Sequence, residues 1–106
     1  MSDTYNGWTN YETWRVNLEI FDGMSAEDLG CFTRYEEPDT SDVARYLEDY
    51  VADILSADCE EGLALSYARA FVSSVNWYEI AEHFTREWAE LMAEEERERD
   101  EEERAE

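Results

Sequence analysis

The chain has 106 residues, 43% hydrophobic and 14% aromatic, enough apolar side chain to build one folded domain and too much for a disordered one. Its 29 acidic residues stand against eight arginines and no lysine, a net charge of −21 that repels nucleic acid and anionic membranes and attracts basic surfaces. Direct nucleic-acid binding and membrane association are therefore not expected. A soluble cytoplasmic protein is expected instead, because no apolar run reaches the length of a membrane span and residues 1–15 lack a signal-peptide core.

The first element opens in the stretch NGWTNYETWRVNLEIF, residues 6–21. Thr9 followed by Glu12 forms a capping box, with the threonine at the N-cap and the glutamate three residues on. Tyr11, Trp14, Leu18 and Phe21 then recur as one helical stripe, with Val16 and Ile20 on nearly the opposite side. Trp8, Tyr11 and Trp14 are spaced three apart, and core packing is the expected role of this ladder, with anchoring of a protein partner as the alternative. Exposed aromatics that stack bases work beside a cationic groove, whereas the neighbours here are acidic. Asp22-Gly23 ends the helix.

A loop follows over residues 22–40, with one short turn at Ser25–Leu29 and Pro38 near its end. Ser41 is placed to cap a second helix whose unbroken stripe is Val43, Tyr46, Leu47, Tyr50, Val51, Ile54 and Leu55. Asp42, Arg45, Glu48, Asp49 and Asp53 take its wet side. After the acidic turn at residues 56–62, residues 63–75 carry a single charge, Arg69, and are apolar all round. That pattern predicts a central, mostly buried helix, with a strand over 70–75 as a weaker reading. Asn76 and Glu79 make a second N-terminal box, opening a stripe of Trp77, Ile80, Ala81, Phe84, Trp88, Leu91 and Met92. Residues 94–106 hold nine acids and three arginines. Pairs of Glu and Arg four apart contribute only about 0.2–0.5 kcal/mol each, so fraying is expected towards the end. The expected architecture is all-α: a compact bundle of about four helices over residues 1–93, with an acidic C-terminal helical extension over 94–106.

Catalytic signals are sparse. Cys31 and Cys59 belong to no metal or redox spacing. His83 has Glu79 and Glu87 four residues to either side, but three groups on one helix without a second segment make a poor metal site, and a solvated histidine is expected. There is no G-x-S-x-G, P-loop, H-E-x-x-H or dinucleotide fingerprint, and residues 22–30 begin like a calcium loop without its alternating ligands. No enzymatic activity, metal or cofactor is expected.

The charge remains. Carboxylates three and four apart on a helix lie about 5–6 Å from one another, close enough for acidic helix faces to imitate a phosphate array. Candidate partner-binding rows are Glu48, Asp49 and Asp53 on the second helix, and Glu79, Glu82, Glu87, Glu90 and Glu94 on the fourth, where Arg86 interrupts. Salt adaptation accounts for the same excess, as surface solvation that says nothing of partners.

The two capped starts, GWTNYETW (Gly7–Trp14) and VNWYEIAEH (Val75–His83), resemble a family of small uncharacterised proteins from bacteriophages, other mobile elements, actinobacteria and haloarchaea. That family shares an N-Y-E-T-W start and a later N-W-x-E-I-A-E segment; the acidic tail from Glu94 lies outside the shared pattern. The resemblance brings no established activity and no catalytic residues. Its mobile-element setting favours small inhibitors of host defence, and its haloarchaeal setting favours salt adaptation. The expected function is therefore non-enzymatic protein binding. In its most concrete form the chain is a phage- or plasmid-encoded DNA mimic that inhibits a restriction or CRISPR-type DNA-binding protein of the host. The alternative is a salt-adapted helical protein whose acidity is solvation. A homodimer through Val16 and Ile20 is a third arrangement.

Overall fold

The structure is a computed structural model that describes residues 4–32 and 38–105. Among these residues the chain is all-α. Helix α1 (Tyr11–Val16) runs directly into a π-turn (Asn17–Phe21), and a 3₁₀ turn follows at Ala26–Asp28. Then come α2 (Thr40–Asp58), α3 (Leu63–Val72) and α4 (Trp77–Ala105). The only extended pairing among them is one antiparallel bridge between Tyr5 and Trp8.

The core forms where α2 meets α4. Val43, Leu47 and Val51 recur every four residues on α2, and all three are fully buried. Ile80, Ala81, Phe84 and Trp88 provide the facing stripe on α4, as their spacing predicts. Each large side chain so buried contributes about 1.5–3 kcal/mol through removal of apolar surface from water. The segment between α1 and α2 closes one end of this core with Phe21, Ala26, Leu29 and Phe32. Phe21 meets Phe84 edge-on at 5.9 Å, and Phe32 lies against Trp88 at 5.2 Å. The turn expected at Ser25–Leu29 is present, with Ser25 and Asp28 bonded reciprocally as a capping box. The expected loop also spans residues 33–37, which lie outside the described residues.

Helix α1 departs from its expected stripe. Tyr11 is 37% exposed and Leu18 is 47% exposed, whereas Thr13, Val16 and Phe21 are buried. Tyr11, Thr13 and Val16 precede the π-turn in regular α-helix, and the π-turn accounts for the departure beyond Val16. In an α-helix Val16 and Phe21 would point about 140° apart. Hydrogen bonding to the fifth residue, as from the Asp22 N–H to the Asn17 carbonyl at 2.7 Å, winds more residues into one turn. Phe21 is thereby carried round towards the face of Val16, and Leu18 is turned outward. Gly23, at φ +88°, then lets the chain leave the helix at once.

Three further expectations are corrected. Helix α2 begins at Thr40 with Asp39 at its N-cap, not at Ser41; the Asp39 carbonyl takes the first N–H groups, from Asp42 and Val43. Helix α3 is peripheral, not central. Only Leu65 is buried on it, while Leu63 is 71% and Tyr67 68% exposed. A bundle this small has no outer layer with which to surround a middle helix, and the strand reading of 70–75 fails because α3 runs through Val72. Finally, α4 stays helical to Ala105, so the expected fraying is not seen. Glu and Arg are good helix formers, and no glycine or proline interrupts them. At about 1.5 Å per residue α4 is roughly 43 Å long, and it draws the molecule out to 64 × 38 × 21 Å. No described helix is long and apolar enough to cross a membrane.

Candidate functional site

The two motifs that frame the chain meet in space. Asn10 caps α1 by accepting from the Thr13 N–H at 2.9 Å, and Asn76 caps α4 by accepting from the Glu79 N–H at 3.1 Å. In an ordinary capping box the side chain at N3 turns back to its own cap residue. Here the Glu79 side chain crosses to the other helix, and the Thr13 hydroxyl reaches both its own cap and the other helix. The Thr13 hydroxyl accepts from the Asn76 N–H at 2.8 Å and donates to Asn10 Oδ1 at 2.6 Å. The Glu79 carboxylate accepts from the Thr9 N–H at 2.8 Å, and Asn76 Nδ2 donates to the Thr9 hydroxyl at 3.0 Å. Asn10 Nδ2 completes the clasp on the Ser74 carbonyl at 2.7 Å. The α1 cap is therefore Asn10 and not Thr9, because the threonine at position 9 is engaged by the start of α4. Glu12 does not close the box; Thr13 holds the N3 position. Asn10, Thr13, Asn76 and Glu79, two residues from each motif, are held in this junction, which is structural.

The candidate carboxylates divide accordingly. Glu79 is half-buried in the clasp, and the half-buried Glu87 accepts from the Ala26 N–H at 3.4 Å. The other six, Glu48, Asp49 and Asp53 on α2 and Glu82, Glu90 and Glu94 on α4, are exposed and lie off the buried stripes of their helices. Beyond them α4 leaves the body. From Glu96 to Arg104 every side chain is exposed. Between Glu94 and Arg104 stand eight acids and three arginines. That rod is about 16 Å long at 1.5 Å per residue, against a duplex charge about every 1.7 Å of axis. Sequence reasoning left this segment to fray and so counted only its first residue, Glu94, with the candidate rows.

His83 is exposed but not idle. Its ring stacks on Trp8 at 4.4 Å with the planes 28° apart, a contact between residues 75 apart that helical spacing cannot reveal. With Glu79 and Glu87 hydrogen-bonded elsewhere, the trio does not converge, and no cluster of three or more metal-binding side chains occurs among the described residues. Cys31 and Cys59 are free thiols. Burial pushes the Cys31 thiol up, so it stays protonated at neutral pH.

The aromatic ladder expected in the core splits, and of its three rings Trp8 packs against the core. Trp8 sits in the bridged turn beside His83, outside the helix. Tyr11 and Trp14 form a surface cluster with Tyr5, their ring centroids 5.0–5.8 Å apart. Tyr11 also meets Phe71 of α3 edge-on at 6.2 Å. Beside this cluster a groove of about 340 Å³ runs between α1, α2 and α3, floored by Val16, Ile20, Val51, Leu55 and Val72. Arg15 and Glu19 stand at its lip, bonded to each other at 2.6 Å. The Tyr11 hydroxyl, at 2.8 Å, and then Glu19 hold the exposed Arg15 guanidinium more firmly charged than usual. Val16 is buried and Ile20 half-buried, so the dimer face expected from these two residues is this groove floor and not a projecting ridge.

Comparison with known proteins adds a family without an activity. A family model described as a family of unknown function (DUF7249) matches residues 1–102, in keeping with the expected membership of an uncharacterised family but running past Glu94, where the shared pattern was expected to end. No curated protein and no solved structure matches the chain.

Proposed function

The chain belongs to the family of unknown function DUF7249, and from that premise we propose that it binds a basic protein surface with its carboxylates, as a mimic of DNA. The observation that carries this reading is the projecting end of α4. A helical rod bearing eight carboxylates and three arginines, a net −5 over about 16 Å, can enter a cleft built for a duplex, and the chain's net charge speeds the encounter at low salt. Glu82, Glu90 and Glu94 continue the acidic surface from the rod towards the body. The partner we infer is a host-defence DNA-binding protein of restriction or CRISPR type, met by a phage- or plasmid-encoded chain. The resemblance of the two capped starts to mobile-element proteins supports that setting. The function is non-enzymatic.

Competition for DNA tests this directly. A fluorescent duplex is bound to each of a panel of restriction and CRISPR-type effector proteins, and the chain is titrated in. Displacement is expected for at least one effector. Truncation after Ala93 should weaken it by about tenfold or more, equivalent to about 1.4 kcal/mol. The truncated residues bury almost nothing, so the melting temperature should stay within about 4–8 °C, the shift that 1 kcal/mol produces. Displacement that survives the truncation unchanged would remove the α4 rod from the proposal; no displacement anywhere on the panel would end it.

A second reading has its own observation. Exposed carboxylates stand on α2 as well as on α4, off the core on both, which is how solvation spreads charge. Salt dependence separates the two. For the mimic, helicity at about 0.05 M NaCl should match that at 1 M, where the Debye length shrinks to about 3 Å. A chain that is molten at low salt and folds only near molar salt would make acidity an adaptation.

A further inference from the structure

We propose that the groove between α1, α2 and α3 is a docking site for a basic amphipathic helix of a partner protein. This surface is separate from the α4 rod, and the inference stands whether or not the rod mimics DNA.

The first ground is the distribution of apolar surface. In a chain of net charge −21, α3 carries one charge, Arg69, and no acid at all. Its inner side closes the groove with Ala68, Phe71 and Val72. Its outer side holds Leu63 and Tyr67 at 71% and 68% exposure. Apolar lining thus passes from the groove onto an unpartnered helix face, and contiguous apolar surface of this kind marks interaction sites in soluble proteins. The enclosing walls are helices, and a helix laid between them meets such a groove with anchors at i, i+3 or i+4, and i+7.

The second ground is charge. Arg15 at the lip is already paired with Glu19. Glu48 lies three residues before Val51, and Asp58 three after Leu55. By helical spacing these two exposed acids flank the lining residues of α2. The groove is therefore apolar at its floor and acidic at its α2 edge, which suits an apolar stripe bordered by Lys or Arg. A second copy of this chain is disfavoured, since it brings another 21 net negative charges and no lysine to the same edge.

The test uses the full chain and a fluorescent synthetic helix of about 18 residues, five turns at 3.6 residues each, with leucines at stripe spacing and lysines and arginines elsewhere. A scrambled peptide of identical composition lacks the stripe. At physiological salt the striped peptide should bind at least about tenfold more tightly than the scrambled one. It should shift the backbone amide resonances of Ile20, Leu55, Ala68 and Phe71. Ala68→Arg, which places a long cation in the groove, should lower affinity by a similar factor. The wild-type resonance map decides the matter if that variant folds poorly. Equal affinity for both peptides, with shifts on α4, would overturn the docking site while leaving the acidic rod its role. Sedimentation showing a wild-type dimer with the same resonances perturbed would overturn it too, in favour of a second copy. Absence of binding to either peptide would refute it outright.

Discussion

Thr13→Val should destabilise the protein by roughly 2–3 kcal/mol, the cost of a lost hydrogen bond and of a donor left unsatisfied in a part-buried site. In melting temperature this is a fall of about 8–20 °C for a chain of this size. The substitution keeps shape and volume, so packing is not the cause. What disappears is the one hydroxyl that serves both helix starts: it receives the Asn76 N–H and donates to Asn10, inside a residue with no exposed surface. Thr13→Ser retains the hydroxyl and should recover most of the loss. Asn76→Ala removes a cap, worth about 1 kcal/mol alone, together with the bond to Thr9. Asn76→Ala keeps the backbone N–H that bonds Thr13, so a coupling of about 0.5–3 kcal/mol in the double variant would report the shared network of caps and not that bond. Urea unfolding of these four variants beside the wild type measures all of this. A Thr13→Val chain within about 0.5 kcal/mol of wild type, the scatter of ordinary surface changes, would show that the crossed caps contribute nothing to stability.

The larger loss is expected at Phe21. Replacing it with alanine should cost about 3–5 kcal/mol, a large part of the 5–15 kcal/mol that a domain of this kind holds in total. The ring is 2% exposed and packs against both Phe84 and Tyr50. Leu18→Ala, three residues earlier, should change stability by no more than about 0.5 kcal/mol. This contrast tests the π-turn. Were the segment α-helical throughout, Tyr11, Trp14, Leu18 and Phe21 would share a face, and the two substitutions would do comparable damage. Equal losses at positions 18 and 21 would therefore argue for the unbroken helix.

These two sites also mark where the sequence could and could not be read. Helices α2 and α4 were legible because both keep a regular period through their full packing length, so Val43, Leu47 and Val51 could be matched with Ile80, Phe84 and Trp88. The failure at α1 lies in the assumed period. The π-turn over Asn17–Phe21 buries Phe21 and leaves Leu18 outward, and no residue type announces it. At α3 the pattern was seen correctly and misassigned: apolar on all sides describes a helix with a covered outer face, and among the described residues Leu63 and Tyr67 stand exposed there. Acidity was plain from composition, but the division of the carboxylates was not. Glu79 and Glu87 are drawn into hydrogen bonds by Thr9 and Ala26, residues that come near them only in the folded chain. The stacking of His83 on Trp8 was hidden for the same reason.

The crossed caps have a consequence in time as well as in strength. The bond from Thr9 to Glu79 closes a loop spanning 70 positions, and that from Asn76 to Thr13 one spanning 63. Contacts this distant form late, after the entropy of closing the chain has been met by other packing. The first turn of α1 thus waits for α4, and the pairing of α2 with α4 is the natural nucleus. Substitutions at Thr13 should accordingly speed unfolding while leaving the refolding rate nearly unchanged, a φ-value close to zero. The amide protons of Thr9 and Asn76 should exchange with solvent together, as one opening unit.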